Sequence, residues 1–147
     1  MTNKYLNLTG KLESLKLPFI SENFIEASAH AGKKKLDYIS CLENLIDGEV
    51  SLKQEKSTGN RIKKAKFPYM KTLEQFNWDH PSKINRMQIE NLFRLDFADG
   101  KKNIILLGTC GLGKTHLAVA LALKACTKGY SVLFSPAVDI INTLSAA

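Results

Sequence analysis

The chain has few of the devices that brace proteins outside a reducing compartment. Its three cysteines, Cys41, Cys110 and Cys126, are widely separated, odd in number and without C-x-x-C spacing. That spacing excludes a disulfide framework or a thiolate metal site, so they read as reduced thiols. His30, His80 and His116 are equally scattered, and no structural metal is expected. No apolar run approaches the roughly 20 residues of a membrane span, and the first residues are too polar and mixed for a signal peptide. The expected location is cytoplasmic, with no membrane partner. Acidic groups are also short, 14 against 21 lysines and arginines in 147 residues, for a formal charge of +7. Such a balance points toward nucleic acid or another acidic partner, with solvated surface as the bland alternative.

What the chain does have is the stretch NIILLGTCGLGKT, Asn103 to Thr115. Gly108 to Thr115 matches G-x-x-x-x-G-K-[ST], behind a short apolar run and ahead of an apolar helical pattern, which is the context that motif needs. The glycines let successive backbone N–H groups curl around a phosphate, and the following helix aims its amino terminus at the same oxygens. In that reading Gly108, Thr109, Cys110, Gly111, Leu112 and Gly113 form the cradle. Lys114 reaches the β- and γ-phosphates of ATP, and the Thr115 hydroxyl joins the shell of Mg2+. The alternative is a glycine-rich turn with no ligand, which would have no need of lysine and threonine behind the last glycine.

Upstream, Thr9 is expected to cap a short helix ended by Pro18, after a frayed start over residues 1–8. Ser21 is expected to cap a second helix ending near Ala31-Gly32. From Asp37 to about Lys66 the apolar spacing is helical, with Gly48 and Gly59 as candidate breaks. Arg61, Lys63, Lys64 and Lys66 then gather positive charge at the end of that helix, either as solvated surface or as a phosphate-backbone footprint. Phe67-Pro68 closes the helix. Leu73, Phe76 and Trp78 belong to a short segment read as a packed linker anchored by its aromatics, with nucleotide or base stacking as the alternative. Pro81 to about Phe97 reads as a helix, Asn103 to Leu107 as a strand, His116 to Lys128 as a helix stopped by Gly129, Tyr130 to Phe134 as a second strand, and Ser135-Pro136 as the start of a last helix.

The order strand, glycine loop, helix, strand, helix names an α/β fold, the first βαβα part of a doubly wound P-loop core behind a small helical amino-terminal region, with an incomplete sheet. The expected division is 1–75 for the helical region and 76–147 for the partial core. Hydrolysis of ATP also needs an acidic residue at a later strand end. Past Thr115 the only acidic residue is Asp139, placed in the first turn of the last helix, so no catalytic residue is assigned. Two strands also leave apolar edges uncovered, and the chain alone is expected to be marginal or insoluble unless a partner completes the sheet.

The segments RIKKAKFPYMKT (Arg61 to Thr72), LEQF (Leu73 to Phe76) and LLGTCGLGKTHLAVALALKACTKGYSVLF (Leu106 to Phe134) together resemble the IstB-like ATP-binding proteins, helper ATPases encoded beside the transposase in bacterial insertion sequences. The resemblance runs from about Leu12 to Leu144. It implies a helical domain followed by an AAA+ ATPase core that binds duplex DNA, self-associates with ATP and stimulates a transposase. It sets Gly108, Gly111, Gly113, Lys114 and Thr115 on the nucleotide loop, His116 on its continuation, and Arg61, Lys63, Lys64 and Lys66 on the DNA-facing stretch. The family's two prolines after the first loop glycine are replaced by Thr109-Cys110, which implies a less rigid loop. Its acidic strand, sensor and arginine have no counterpart, and its first two core strands are not neighbours, so an amino-terminal fragment without ATPase activity of its own is expected. A helicase-loader-like replication protein, and a remnant that binds no nucleotide, stay open as alternatives.

Overall fold

The computed structural model describes residues 3–79 and 84–146. Among them are seven helices: α1 (Asn3–Ser14), α2 (Pro18–Lys34), α3 (Tyr38–Ala65), α4 (Arg86–Leu92), α5 (Asp96–Asp99), α6 (Lys114–Thr127) and α7 (Ala137–Ser145). The chain divides into two compact units, Met1–Ser57 and Thr58–Ala147, and the division falls inside α3.

In the first unit α1 packs on α2, and the helices begin and end differently from the local signals. From Asn3 onward the first segment is helical rather than frayed. Thr9 lies inside α1 and donates its hydroxyl to the Tyr5 carbonyl at 3.0 Å, so it is no cap. Tyr5 stands 6.3 Å, centroid to centroid, from the buried ring of Phe24, a tertiary contact that short helices need and local propensity does not reveal. α2 starts at Pro18, whose missing N–H is harmless in a first turn, and not at Ser21, whose own N–H already donates to Leu17. It runs past Ala31-Gly32 to Lys34, where left-handed Lys35 closes it. Glu49, only 3% exposed, reaches from α3 to the start of α2 and accepts from the Ile20 N–H at 3.1 Å. A carboxylate there meets both an unpaired donor and the positive end of the helix dipole. Its other oxygen lies 3.7 Å from the Lys53 ammonium, beyond hydrogen-bond reach.

α3 begins where Asp37 accepts the Ser40 N–H at 2.9 Å and the Ser40 hydroxyl at 2.6 Å; chiefly that hydroxyl holds the Asp37 carboxyl below its ordinary range. It continues unbroken through Gly48 and Gly59. The reason differs at the two glycines. A Cβ built on Gly48 would stand 2.0 Å from the Phe19 ring, so the missing side chain is what lets α2 lie close; at Gly59 nothing lies within 4 Å. Opposite effects follow in urea denaturation. Gly48→Ala should destabilise by about 1–3 kcal/mol through overpacking, whereas Gly59→Ala should stabilise by up to about 1 kcal/mol through helix propensity. Equal shifts of the same sign would refute the packing role of Gly48.

The second unit is built around α6. Leu117, Val119, Ala120, Ala125 and Cys126 are its buried residues, joined by Ala65, Phe76 and Leu95 from other segments. Gly129, with φ 100°, ends it as expected. The helix expected over 81–97 is instead two short pieces. Pro81 lies outside the described residues; α4 starts at Arg86, capped by Asn85, which accepts the Gln88 N–H at 3.1 Å. The chain then breaks at Leu95, left-handed at φ 71° yet only 2% exposed. That conformation costs about 1–2 kcal/mol, and burying the leucine side chain returns a comparable amount, about 1.5–3 kcal/mol.

The two expected strands do not appear as a sheet: among the described residues no backbone ladder forms. Residues 103–107 and 130–134 nevertheless alternate, residue by residue, between half-buried and exposed positions, the period of a strand lying on one face. Both line one groove of about 420 Å3 floored by Ala118, Leu121, Ala122 and Ala125 of α6, with no pairing between them. A ladder needs a neighbour within hydrogen-bond reach, which neither stretch provides for the other. The single backbone bond recorded for these stretches beyond their own neighbourhood runs from the Phe134 N–H to the Ala65 carbonyl at 2.8 Å.

Candidate phosphate-binding site

The loop between residue 107 and α6 has the backbone that its glycines foreshadow. Gly108 takes φ 155° and Gly113 φ 77°, both on the positive side that L side chains avoid. Space is restricted at both positions as well. A Cβ on Gly108 would stand 2.9 Å from Leu112 Cδ1, and one on Gly113 2.6 Å from the Phe76 ring. Gly113 is the N-cap of α6 and its carbonyl accepts the Leu117 N–H at 2.9 Å. Among the described residues, no protein group accepts from the backbone N–H groups of residues 109–113. These donors, with the free first-turn donors of α6, make a concave array suited to a phosphate.

Lys114 and Thr115 open α6, and Thr115 is exposed. The Lys114 ammonium folds back on its own loop and donates to the Thr109 carbonyl at 2.5 Å. Beside it lies a groove of about 500 Å3, lined mainly by Ile84, Ile89, Leu92, Leu106, Leu112 and Leu117. No carboxylate belongs to that lining. Among the described residues no group of three or more His, Cys, Asp or Glu could hold a metal ion. Thr115 can therefore supply one hydroxyl oxygen to Mg2+, with the remaining ligands left to phosphate and water. Asp139 sits in the first turn of α7, as its sequence position foretold. Cys110 is exposed within the loop, and Cys126 is fully buried; burial pushes the Cys126 thiol up, with the Arg61 charge opposing.

His116 points elsewhere. Its Nε2 lies 2.7 Å from the Thr72 carbonyl, 44 residues back, and its ring meets Phe76 edge-on at 5.3 Å. A carbonyl only accepts, so Nε2 carries the proton. Phe76 and Trp78 pack edge to face at 4.9 Å, and the Arg86 guanidinium lies 5.0 Å over the Trp78 ring. Local spacing carries no signal for these contacts beyond the apolar character of Phe76 and Trp78.

Of the four basic candidates, Lys63, Lys64 and Lys66 are exposed, and none of the three forms an ion pair among the described residues. Arg61 is half-buried, and its charge acts on Cys126. The four thus separate into three solvent-facing lysines and one arginine turned toward the core.

A family model described as IstB-like ATP binding protein matches residues 10–147. A putative ATP-binding protein of insertion sequence IS5376 from Geobacillus stearothermophilus is 35% identical over 133 residues, covering 90% of this chain and 53% of the relative. One of insertion sequence IS21 from Pseudomonas aeruginosa is 38% identical over 136 residues, covering 92% and 51%. A third, of IS232 from Bacillus thuringiensis, is 29% identical across the whole chain and 59% of the relative. The chain thus spans about half the length of the curated relatives it matches.

Proposed function

Because the chain belongs to the IstB-like ATP-binding protein family, we propose that it is an ATP-binding helper of DNA transposition whose phosphate site is the 108–115 loop. The observation that carries this reading is the loop itself: positive-φ glycines, unpaired N–H groups and Lys114 converge at the amino end of α6. Bound ATP supplies a triphosphate for that array. The chain's part is to hold the β- and γ-phosphates with backbone donors and Lys114, and to offer the Thr115 hydroxyl to Mg2+. With no carboxylate lining the groove beside Lys114, the reading is one of binding without turnover by these residues. Residues 103–107 and 130–134 serve in it as strands of a doubly wound α/β core, with the groove between them as the place of an intervening strand. Exposed Cys110 provides the test. Saturating MgATP should slow its alkylation strongly while buried Cys126 stays unreactive throughout; an unchanged Cys110 rate at millimolar MgATP would count against nucleotide binding and favour a remnant.

Duplex DNA is the second ligand in this reading, held through Lys63, Lys64 and Lys66, and a transposase is the protein partner that the insertion-sequence relatives suggest. Phosphate contacts release counterions, so each contributes about 0.9 to the slope of log K against log salt. Replacing all three lysines with alanine should flatten that slope by roughly 2.7 and weaken binding equally on unrelated sequences. Titrations at several salt concentrations decide it: an unchanged slope returns these lysines to ordinary solvated surface.

A further inference from the structure

The phosphate loop and the 72–78 segment are joined at one place, the first turn of α6. Three contacts converge there. Gly113 lies so close to Phe76 that a Cβ would stand 2.6 Å from the ring; the His116 imidazole donates to the Thr72 carbonyl at 2.7 Å; and the same imidazole meets Phe76 edge-on. The segment on the receiving side is internally braced. The Thr72 N–H donates to Gln75 Oε1 at 3.2 Å and the Phe76 N–H to the Leu73 carbonyl at 3.0 Å. The Thr72 hydroxyl is the main group holding the Glu74 carboxyl below its ordinary range. Thr72 therefore presents its carbonyl from a folded turn, and Phe76, 5% exposed, is wedged between Gly113, His116 and Trp78.

The giving side is not settled in the same way. Lys114 spends its ammonium on the Thr109 carbonyl, a contact that must open before the ammonium can reach a phosphate. Lys114 and His116 share one helical turn, so a loop that closes on phosphate bears directly on the imidazole and on Phe76. We propose that His116 is a positioning residue: its hydrogen bond to the Thr72 carbonyl couples the state of the phosphate loop to the Phe76–Trp78 segment, so that filling the loop shifts that segment. This inference rests on the phosphate-site reading above.

Trp78 is the chain's single tryptophan, so its emission reports the segment without labelling. The full chain is titrated with MgATP, and bound nucleotide is measured separately by equilibrium dialysis. Wild type should show a saturable change in Trp78 emission that tracks occupancy. In His116→Ala the change at saturation should fall clearly below that of wild type, whatever the affinity, because removing one coupling contact shifts a two-state balance by roughly fivefold. His116→Gln, which keeps a side-chain N–H donor, should restore most of the amplitude. A merely structural histidine would lower the melting temperature in both variants and leave the amplitude per bound nucleotide intact, which overturns the proposal. So does a His116→Ala chain that binds no nucleotide while folded, which would make the imidazole part of the cradle. Wild type that binds MgATP with silent Trp78 emission also refutes the coupling while leaving the phosphate site standing. Wild type that binds no MgATP by dialysis removes the phosphate site and this inference together.

Discussion

Lys114→Ala should weaken MgATP binding by roughly 10–150-fold relative to the wild-type chain. Among the described residues, the lysine is the only side-chain cation that hydrogen-bonds the glycine loop, through the Thr109 carbonyl. Its loss removes a charge-assisted contact of about 1.5–3 kcal/mol, a factor of roughly 10–150 in affinity. The backbone N–H groups that remain are neutral donors and do not replace it. Folding should be almost unaffected, because the Lys114–Thr109 contact is exposed. Lys128→Ala, at the exposed C-cap of α6, should leave affinity within about threefold of wild type. Equilibrium dialysis of the three proteins checks both statements. Undiminished binding by the Lys114 variant would move the nucleotide away from this loop.

The second large effect concerns association. Ile105 is 77% exposed and Leu107 88%, an outward row whose alternate residues, Ile104 and Leu106, turn toward the body of the unit. Leu133 and the α7 residues Val138, Ile141 and Leu144 are also bare. Extended apolar chain with unpaired backbone is a template for pairing with other chains. The isolated 147-residue chain should therefore show a sedimentation coefficient that rises with concentration, and should bind an apolar dye. Ile105→Lys with Leu107→Lys should suppress both, at little cost in stability since neither side chain is buried. A monomeric wild-type chain with a sharp cooperative melt and strong near-ultraviolet signals would remove the idea.

Local elements were legible in the sequence where the cause is itself local. Gly108, Gly113, Lys114 and the small apolar residues of α6 specify a turn and a helix within a few residues of one another, and the loop conformation follows them. Gly48 misled because its purpose lies on another helix: an isolated glycine reads as a weak point, and only the Phe19 ring shows it to be a packing surface. Leu95 misled for a similar reason, since a buried leucine in a left-handed conformation has no spacing signature. Residues 103–107 and 130–134 have strand periodicity, but a ladder depends on a neighbour that periodicity does not specify. The His116 contact with Thr72 spans 44 residues, beyond anything a motif window conveys. A histidine following a lysine–threonine pair invited a role in the loop, where the structure turns its imidazole to the linker.

One end of α6 carries the glycine loop, and the other comes within range of Arg61, whose charge acts on Cys126. Fourteen residues of helix make a rod about 21 Å long. Two polyanions bound at the loop and at the lysines beyond Arg61 would be too far apart to contend for the same side chains. In the proposed reading, nucleotide and DNA would then draw on side chains at opposite ends of the rod.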